Sequence, residues 1–307
     1  MRRALLSWTL VFALLAAGFG ASVLALGSDL YSASGFVRSY LEALQRGDAE
    51  AALETPGVTG ASALVTDETV GGFDGIHIIS DVEAGGQHTV RAGYTMNGSE
   101  QVSQFTVERT GTRLGLFAIW RFTVSPVATL SVRVDHDTRF TANGVDAAVG
   151  EYAMLVPTAV TLDHDTEWLE ALEVRPQVTE VGSTFDALVE VTPKDGFNEA
   201  ATAAIAGFLD TCATQQVLKP TGCPFGTDVA NRLDTPPVWT VITYPSAALR
   251  PAETVGSWQT QGAATVHVNA QVKSLFDGSL STIDLDVPFE STYLITVGLD
   301  DSLSVHV

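Results

Sequence analysis

Apolar residues recur along this chain in three patterns, and each predicts a different element. The first is an uncharged run from Ala4 to Leu26, interrupted only by Ser7, Thr9 and Ser22 and preceded by Met1-Arg2-Arg3. As a helix it would rise roughly 34 Å, enough to cross a hydrocarbon core of about 30 Å. The second pattern has the helical period. Phe36, Val37, Tyr40, Leu41 and Leu44 form one stripe, and Ala201, Ala204, Ile205, Phe208, Leu209 and Cys212 form another. Gly47 stops the first helix, and Asp48 caps a short second one that runs to Leu53 before Pro56-Gly57. Asn198 is placed to cap the later helix, with Phe197 packing back onto its first turns.

The third pattern is strict alternation, which predicts strands with one face covered. It appears at His77–Ile79, Thr89–Met96, Val102–Glu108 and Leu114–Val124, bounded by Gly85-Gly86, Asn97-Gly98 and Thr110-Gly111. Asn-Gly between two alternating runs predicts a hairpin. Shorter strands are expected at Thr129–Val134, Ala153–Val156, Ala159–Leu162 and Val178–Val191, with a turn at Asn143-Gly144. Beyond the late helix come Val238–Thr243, Ala263–Val272, Ile283–Phe289, Tyr293–Val297 and Leu303–Val307. In Ile283-Asp284-Leu285-Asp286-Val287 one face should be buried and the acidic one wet. With breaks at Ser125-Pro126 and Pro193, this divides the chain into residues 1–29 (anchor or signal segment), 30–125 (helices then sheet), 126–192 (a small all-β module) and 193–307 (helix then strands).

The run Phe36-Val37-Arg38-Ser39-Tyr40-Leu41-Glu42-Ala43-Leu44-Gln45-Arg46-Gly47-Asp48-Ala49-Glu50-Ala51-Ala52-Leu53 resembles the opening helices of the NTF2-like (cystatin-like) superfamily, as does an aromatic, Trp120, on the last strand of the first unit. The resemblance implies an α+β fold with helices on one face of a curved antiparallel sheet. Residues 193–307 repeat the element order and resemble a second, divergent NTF2-like domain. The expected architecture is therefore a transmembrane helix, then two such domains separated by the β module. Superfamily enzymes place a catalytic Asp, His or Tyr in the cone of the sheet. Here Tyr40, His77, His88 and Tyr94 are the residues that position would offer, and core packing of Tyr40 and Trp120 is the competing reading.

Charge narrows the partners. There are 36 Asp+Glu against 16 Lys+Arg, a net charge of −20, and mean hydropathy is +0.20. So acidic a surface repels phosphate backbones, which argues against nucleic acid as a partner. Arg2-Arg3 before the apolar run would keep the N-terminus cytoplasmic and the rest outside, as a single-pass plasma-membrane protein. The alternative is secretion after cleavage near Ala25, with Val23-Leu24-Ala25 as the small-residue site. The only two cysteines, Cys212 and Cys223, close a short loop, so a disulfide is expected in an oxidising compartment, contributing about 3 kcal/mol.

Asp135-His136-Asp137-Thr138 and Asp163-His164-Asp165-Thr166 are near copies. Two such edges could hold a divalent cation through carboxylates, or could simply be strand ends where charges meet water. His267 and His306 lie in late strands, and Asn97-Gly98-Ser99 fits a glycosylation sequon. The chain carries no G-x-S-x-G, H-E-x-x-H, P-loop or four-ligand Cys/His set. No catalytic residue, cofactor or metal is therefore assigned. The expected function is a non-enzymatic, membrane-tethered extracytoplasmic binding or spacer protein of the bacterial cell envelope, with an envelope protein or glycan as partner. The alternative is an enzyme of the NTF2-like class using Tyr40 and a strand histidine in the first cone.

Overall fold

The computed structural model describes residues 31–307. The expected membrane-crossing helix at residues 4–26 lies outside that range. Among the described residues no helix is long and apolar enough to cross a membrane. The single-pass plasma-membrane placement is accordingly withdrawn.

The fold class also needs correction. The chain is mostly β, with 49% strand and 13% helix, and the described residues hold three helices. Two helix-plus-sheet domains around a β module do not describe it. The physical reason is strand length: alternating runs that looked like strands of five to eleven residues extend to 15, 17 and 18. The chain forms two compact units, and residues 126–192 contribute to both.

The first unit comprises the described residues up to Arg133 together with Arg139–Asp163 and Glu173–Val189. It opens with α1 (Ala33–Gln45), capped by Ser32, whose side chain accepts from the Gly35 N–H at 3.0 Å. The helix buries Ala33, Val37, Tyr40, Leu41, Ala43 and Leu44. Each large apolar side chain so buried contributes on the order of 1.5–3 kcal/mol. The chain leaves α1 through Gly47 at φ +71°, and Asp48 caps α2 (Ala49–Leu53) by accepting from Ala51 N–H at 3.0 Å.

Four strands follow in spatial order: β1 (Phe73–Ala84), β2 (Gln87–Met96), β3 (Ser99–Arg113) and β4 (Phe117–Phe122). The Asn97-Gly98 turn is as predicted, both residues at positive φ. Thr110-Gly111 is not a turn: β3 continues to Arg113, with a register shift between Arg109 and Gly111. A strand glycine marks a bulge as readily as a turn, and here it marks the bulge. Val90, Ala92, Tyr94, Met96, Phe105, Val107 and Phe122 form the buried face of this sheet. Gly57 lets the chain press against that face's last strand. A Cβ there would sit 2.4 Å from the Phe122 carbonyl oxygen.

In the same unit β5 (Val127–Asp135) pairs with β8 (Gly150–Leu155), and β6 (Arg139–Ala142) and β7 (Val145–Ala148) form a hairpin over Asn143-Gly144. Short strands β9 (Thr158–Ala159) and β12 (Gln177–Val178) pair, and β10 (Leu162–Asp163) joins β6.

The second unit comprises Val134–Thr138, His164–Leu172 and Glu190–Val307. Strand β11 (Leu169–Ala171) pairs with the end of β13 (Thr184–Pro193). Next comes α3 (Phe197–Ala213), which buries Phe197, Ala201, Ile205, Leu209 and Cys212. Its cap is Gly196 without a side-chain bond. Asn198 instead accepts from the Leu249 N–H at 3.0 Å, tying the helix to a loop.

The sheet of this unit is built on one hairpin, β17 (Ser257–Lys273) with β18 (Leu280–Val297), paired without a register shift over its whole length. Strands β14 (Arg232–Leu233), β15 (Val238–Thr243) and β16 (Arg250–Pro251) pair with β17, and β19 (Leu303–His306) pairs with the end of β18.

Candidate functional site

Tyr40 belongs to the core. It is 1% exposed, its hydroxyl donates to the Val156 carbonyl at 3.0 Å, and its ring meets the edges of Phe122 and Phe105 at 5.1 and 6.1 Å. Burial holds its phenol well above the ordinary tyrosine range, with the Val156 bond pulling the other way. A group so held is no acid–base catalyst near neutrality. Tyr94 is similar. Its hydroxyl meets Ser103 Oγ, which in turn donates to the Thr179 carbonyl, and burial pushes its pKa up to about 12.

The two histidines of this unit part company. His77 sits at the surface beside Glu100, 3.4 Å away. His88 lies on the same face of β2 as Val90, at its rim, with Nδ1 2.7 Å from Asp81 Oδ1 and Nε2 3.8 Å from Glu83 Oε2. Trp120 meets the imidazole edge at 4.9 Å and donates its indole N–H to the Tyr31 carbonyl at 2.8 Å. Ser34 Oγ donates to the other Asp81 oxygen at 2.8 Å.

The Asp81–His88 pair was missed from sequence, although a signal existed. Gly85-Gly86 as a two-residue turn sets Ala84 opposite Gln87 and Glu83 opposite His88, which puts Asp81 on the diagonal. What the group can do chemically is limited. Both imidazole nitrogens face carboxylates, and the serine hydroxyl is directed at the acid, not at the histidine. An activated nucleophile requires the reverse order, with hydroxyl on imidazole.

The duplicated Asp-His-Asp triplets, of which all but Asp163 belong to the second unit, are not equivalent edges. Asp137 of the first and His164 of the second approach to 3.5 Å, and both are buried. His136 takes a left-handed φ of +68° just after β5 ends at Asp135, and its ring lies 5.6 Å from Trp258. Asp165 instead forms an ion pair with Lys194, which also donates to the Thr166 carbonyl. Lys194 holds the Asp165 carboxyl below its ordinary value, chiefly by hydrogen bonding. Among the described residues no group of three or more His, Cys, Asp or Glu is arranged to hold a metal ion.

His267 lies on the outer face of β17 between two acids of β18, 2.8 Å from Asp286 Oδ1 and 3.4 Å from Asp284 Oδ1. Asn269 donates to Asp284 at 3.3 Å. The Cys212–Cys223 disulfide is formed, with Cα atoms 5.8 Å apart, and it links the end of α3 to the following loop. The described chain therefore contains several acid–histidine contacts, distributed over two units.

No family model, curated protein or solved structure matches this chain. The NTF2-like resemblance consequently rests on the Phe36–Leu53 run and Trp120 alone.

Proposed function

We propose that this chain is a non-enzymatic binding or spacer protein of the bacterial cell envelope, working outside the cytoplasm with a protein or a glycan as partner. The observation that carries the reading is the position of Tyr40. The residue best placed by sequence to act in a cone is packed among Phe105 and Phe122 and bonded to a main-chain carbonyl. His77 and Glu100 of the first unit reach solvent, facing each other at 3.4 Å. The disulfide supports an oxidising compartment, and the charge of −20 supports partners other than nucleic acid.

The enzyme alternative has one observation in its favour, the Asp81–His88 contact. The direction of the Ser34 hydroxyl counts against it. The deciding experiment exposes the purified protein to an immobilised panel of envelope glycans and peptides and reads both retention and chemical change of each. Saturable retention without turnover is expected. Turnover that disappears in His88→Ala would overturn the reading.

A further inference from the structure

We propose that the outer edge of β18 is a docking strand for an extended segment of a partner protein in which basic and apolar residues alternate. The inference rests on the binding reading above and names the kind of partner. Its starting point is a missing neighbour. Strand β18 is paired with β17 from end to end, but β19 covers its other side only at Leu294–Val297. Among the described residues no strand pairs with residues 280–293 on that side.

The direction of the main chain follows from the register. The Val297 N–H donates to the Gly256 carbonyl, toward β17, and the ladder has no bulge down to the Lys273–Leu280 pair. Main-chain groups alternate sides along an antiparallel strand. Odd residues of β18 therefore face β17, and Thr282, Asp284, Asp286, Pro288, Glu290 and Thr292 direct theirs outward. All six are exposed. Pro288 fits this assignment, since a missing N–H breaks no ladder bond at an outward position. It also marks a limit: the uninterrupted stretch spans residues 280–287, about 27 Å of edge.

The two faces of that stretch differ in chemistry. Asp284 and Asp286 lie on one, with Glu290 beyond Pro288. On the other lie Ile283, Leu285 and Val287, and their cover is incomplete. Leu285 is 48% exposed, while Val268, its partner on the same face of β17, is 0% exposed. Beyond the strand the hairpin tip exposes Leu275 at 73% and Phe276 at 100%, while Leu280, 60% exposed, lies on the side of Asp284 and Asp286.

An added strand would match this row residue for residue. Opposite Asp284 and Asp286 it would place cations, and opposite Ile283, Leu285 and Val287 apolar side chains. A second copy of this chain is a poor occupant. Antiparallel self-pairing would set Asp284 and Asp286 against their own equivalents, and like charges directly opposite destabilise a sheet. The net charge of −20 on each copy adds to that repulsion. Charges and a proline on an edge also discourage indiscriminate pairing. Here the acidic row turns away acidic strands and favours a basic one.

The test uses the disulfide-intact protein and a capped seven-residue peptide that alternates valine and lysine. The expected result is saturable binding that weakens with added salt. It should fall at least tenfold when glutamate replaces lysine, and at least tenfold when alternate peptide amides are N-methylated. Thr282→Pro removes an outward N–H while leaving the β17 ladder intact, and should also weaken binding at least tenfold with an unchanged unfolding midpoint. Asp284→Lys with Asp286→Lys should reverse the preference toward the glutamate peptide. Equal binding of both peptides, full binding by folded Thr282→Pro, or a dimer abolished by that change would overturn the proposal. A flat titration would overturn this edge site alone, because the glycan and peptide panel reads binding anywhere on the chain.

Discussion

Strands β2 and β18 carry the same sequence pattern and meet opposite fates. Strand β2 is paired on both sides along Gln87–Met96, and α1 packs onto its sheet, so Val90, Ala92, Tyr94 and Met96 are all 0% exposed. Strand β18 alternates as cleanly, yet most of it lacks an outer neighbour and Leu285 remains half exposed. The difference teaches that alternation tells which residues share a face. Whether anything covers that face depends on where the helices and the next strand go.

The strongest way to break this comparison is to shorten a leucine on the helix that covers the sheet of β2 and a leucine on the open face of β18. Leu44→Ala, on the buried face of α1, should cost about 2–5 kcal/mol in denaturant unfolding. Leu285→Ala should cost under about 1 kcal/mol, since little cavity forms at an open surface. Equal losses would mean the β18 face is covered in solution. Next in size is the disulfide. Replacing both Cys212 and Cys223 with Ser should lower the stability of the second unit by about 2–4 kcal/mol. Amide exchange should accelerate in α3 while α1 keeps its protection, and matched acceleration in both helices would count against two separable units.

Tyr40→Phe sharpens the core assignment at a smaller scale. It removes one buried hydroxyl bond to Val156 and should cost about 1 kcal/mol. The smallest effect belongs to the exposed pair Asp165–Lys194. Asp165 has its folded pKa lowered, so its contribution is present above the ordinary aspartate value and fades as pH falls through the lowered one. Lys194 has its pKa raised, first by its hydrogen bond to Asp165, so its contribution fades only as pH rises through that raised value. An NMR titration of the Asp165 carboxyl carbon should show the depression in the parent protein and its removal in Lys194→Met.

The legible parts of this molecule were those set by local chemistry. The stripe Phe36, Val37, Tyr40, Leu41 and Leu44 marked α1, Gly47 its stop, Asp48 the cap of α2, and Asn97-Gly98 the hairpin. The cysteine pair was equally readable from spacing and number. Non-local arrangements were not. The lengths of β17 and β18 depend on pairing partners far along the chain, and underestimating them produced an α+β expectation for a mostly β protein. The near-copy Asp-His-Asp triplets stand out in the sequence, but no local rule says that Asp137 of one meets His164 of the other. Asp81–His88 lay between these extremes, recoverable only by counting outward from the Gly85-Gly86 turn.

The central claim is an open, ordered edge on β18, and residue-resolved amide hydrogen exchange tests it most directly. In the parent protein the outward amides of Thr282, Asp284 and Asp286 should exchange rapidly. The inward amides of Ile283, Leu285 and Val287 should be protected, and β2 should be protected at successive residues. Adding the valine–lysine peptide should slow the three outward amides selectively. Uniform protection along 282–287 without peptide, or no change at those amides with it, would contradict the account.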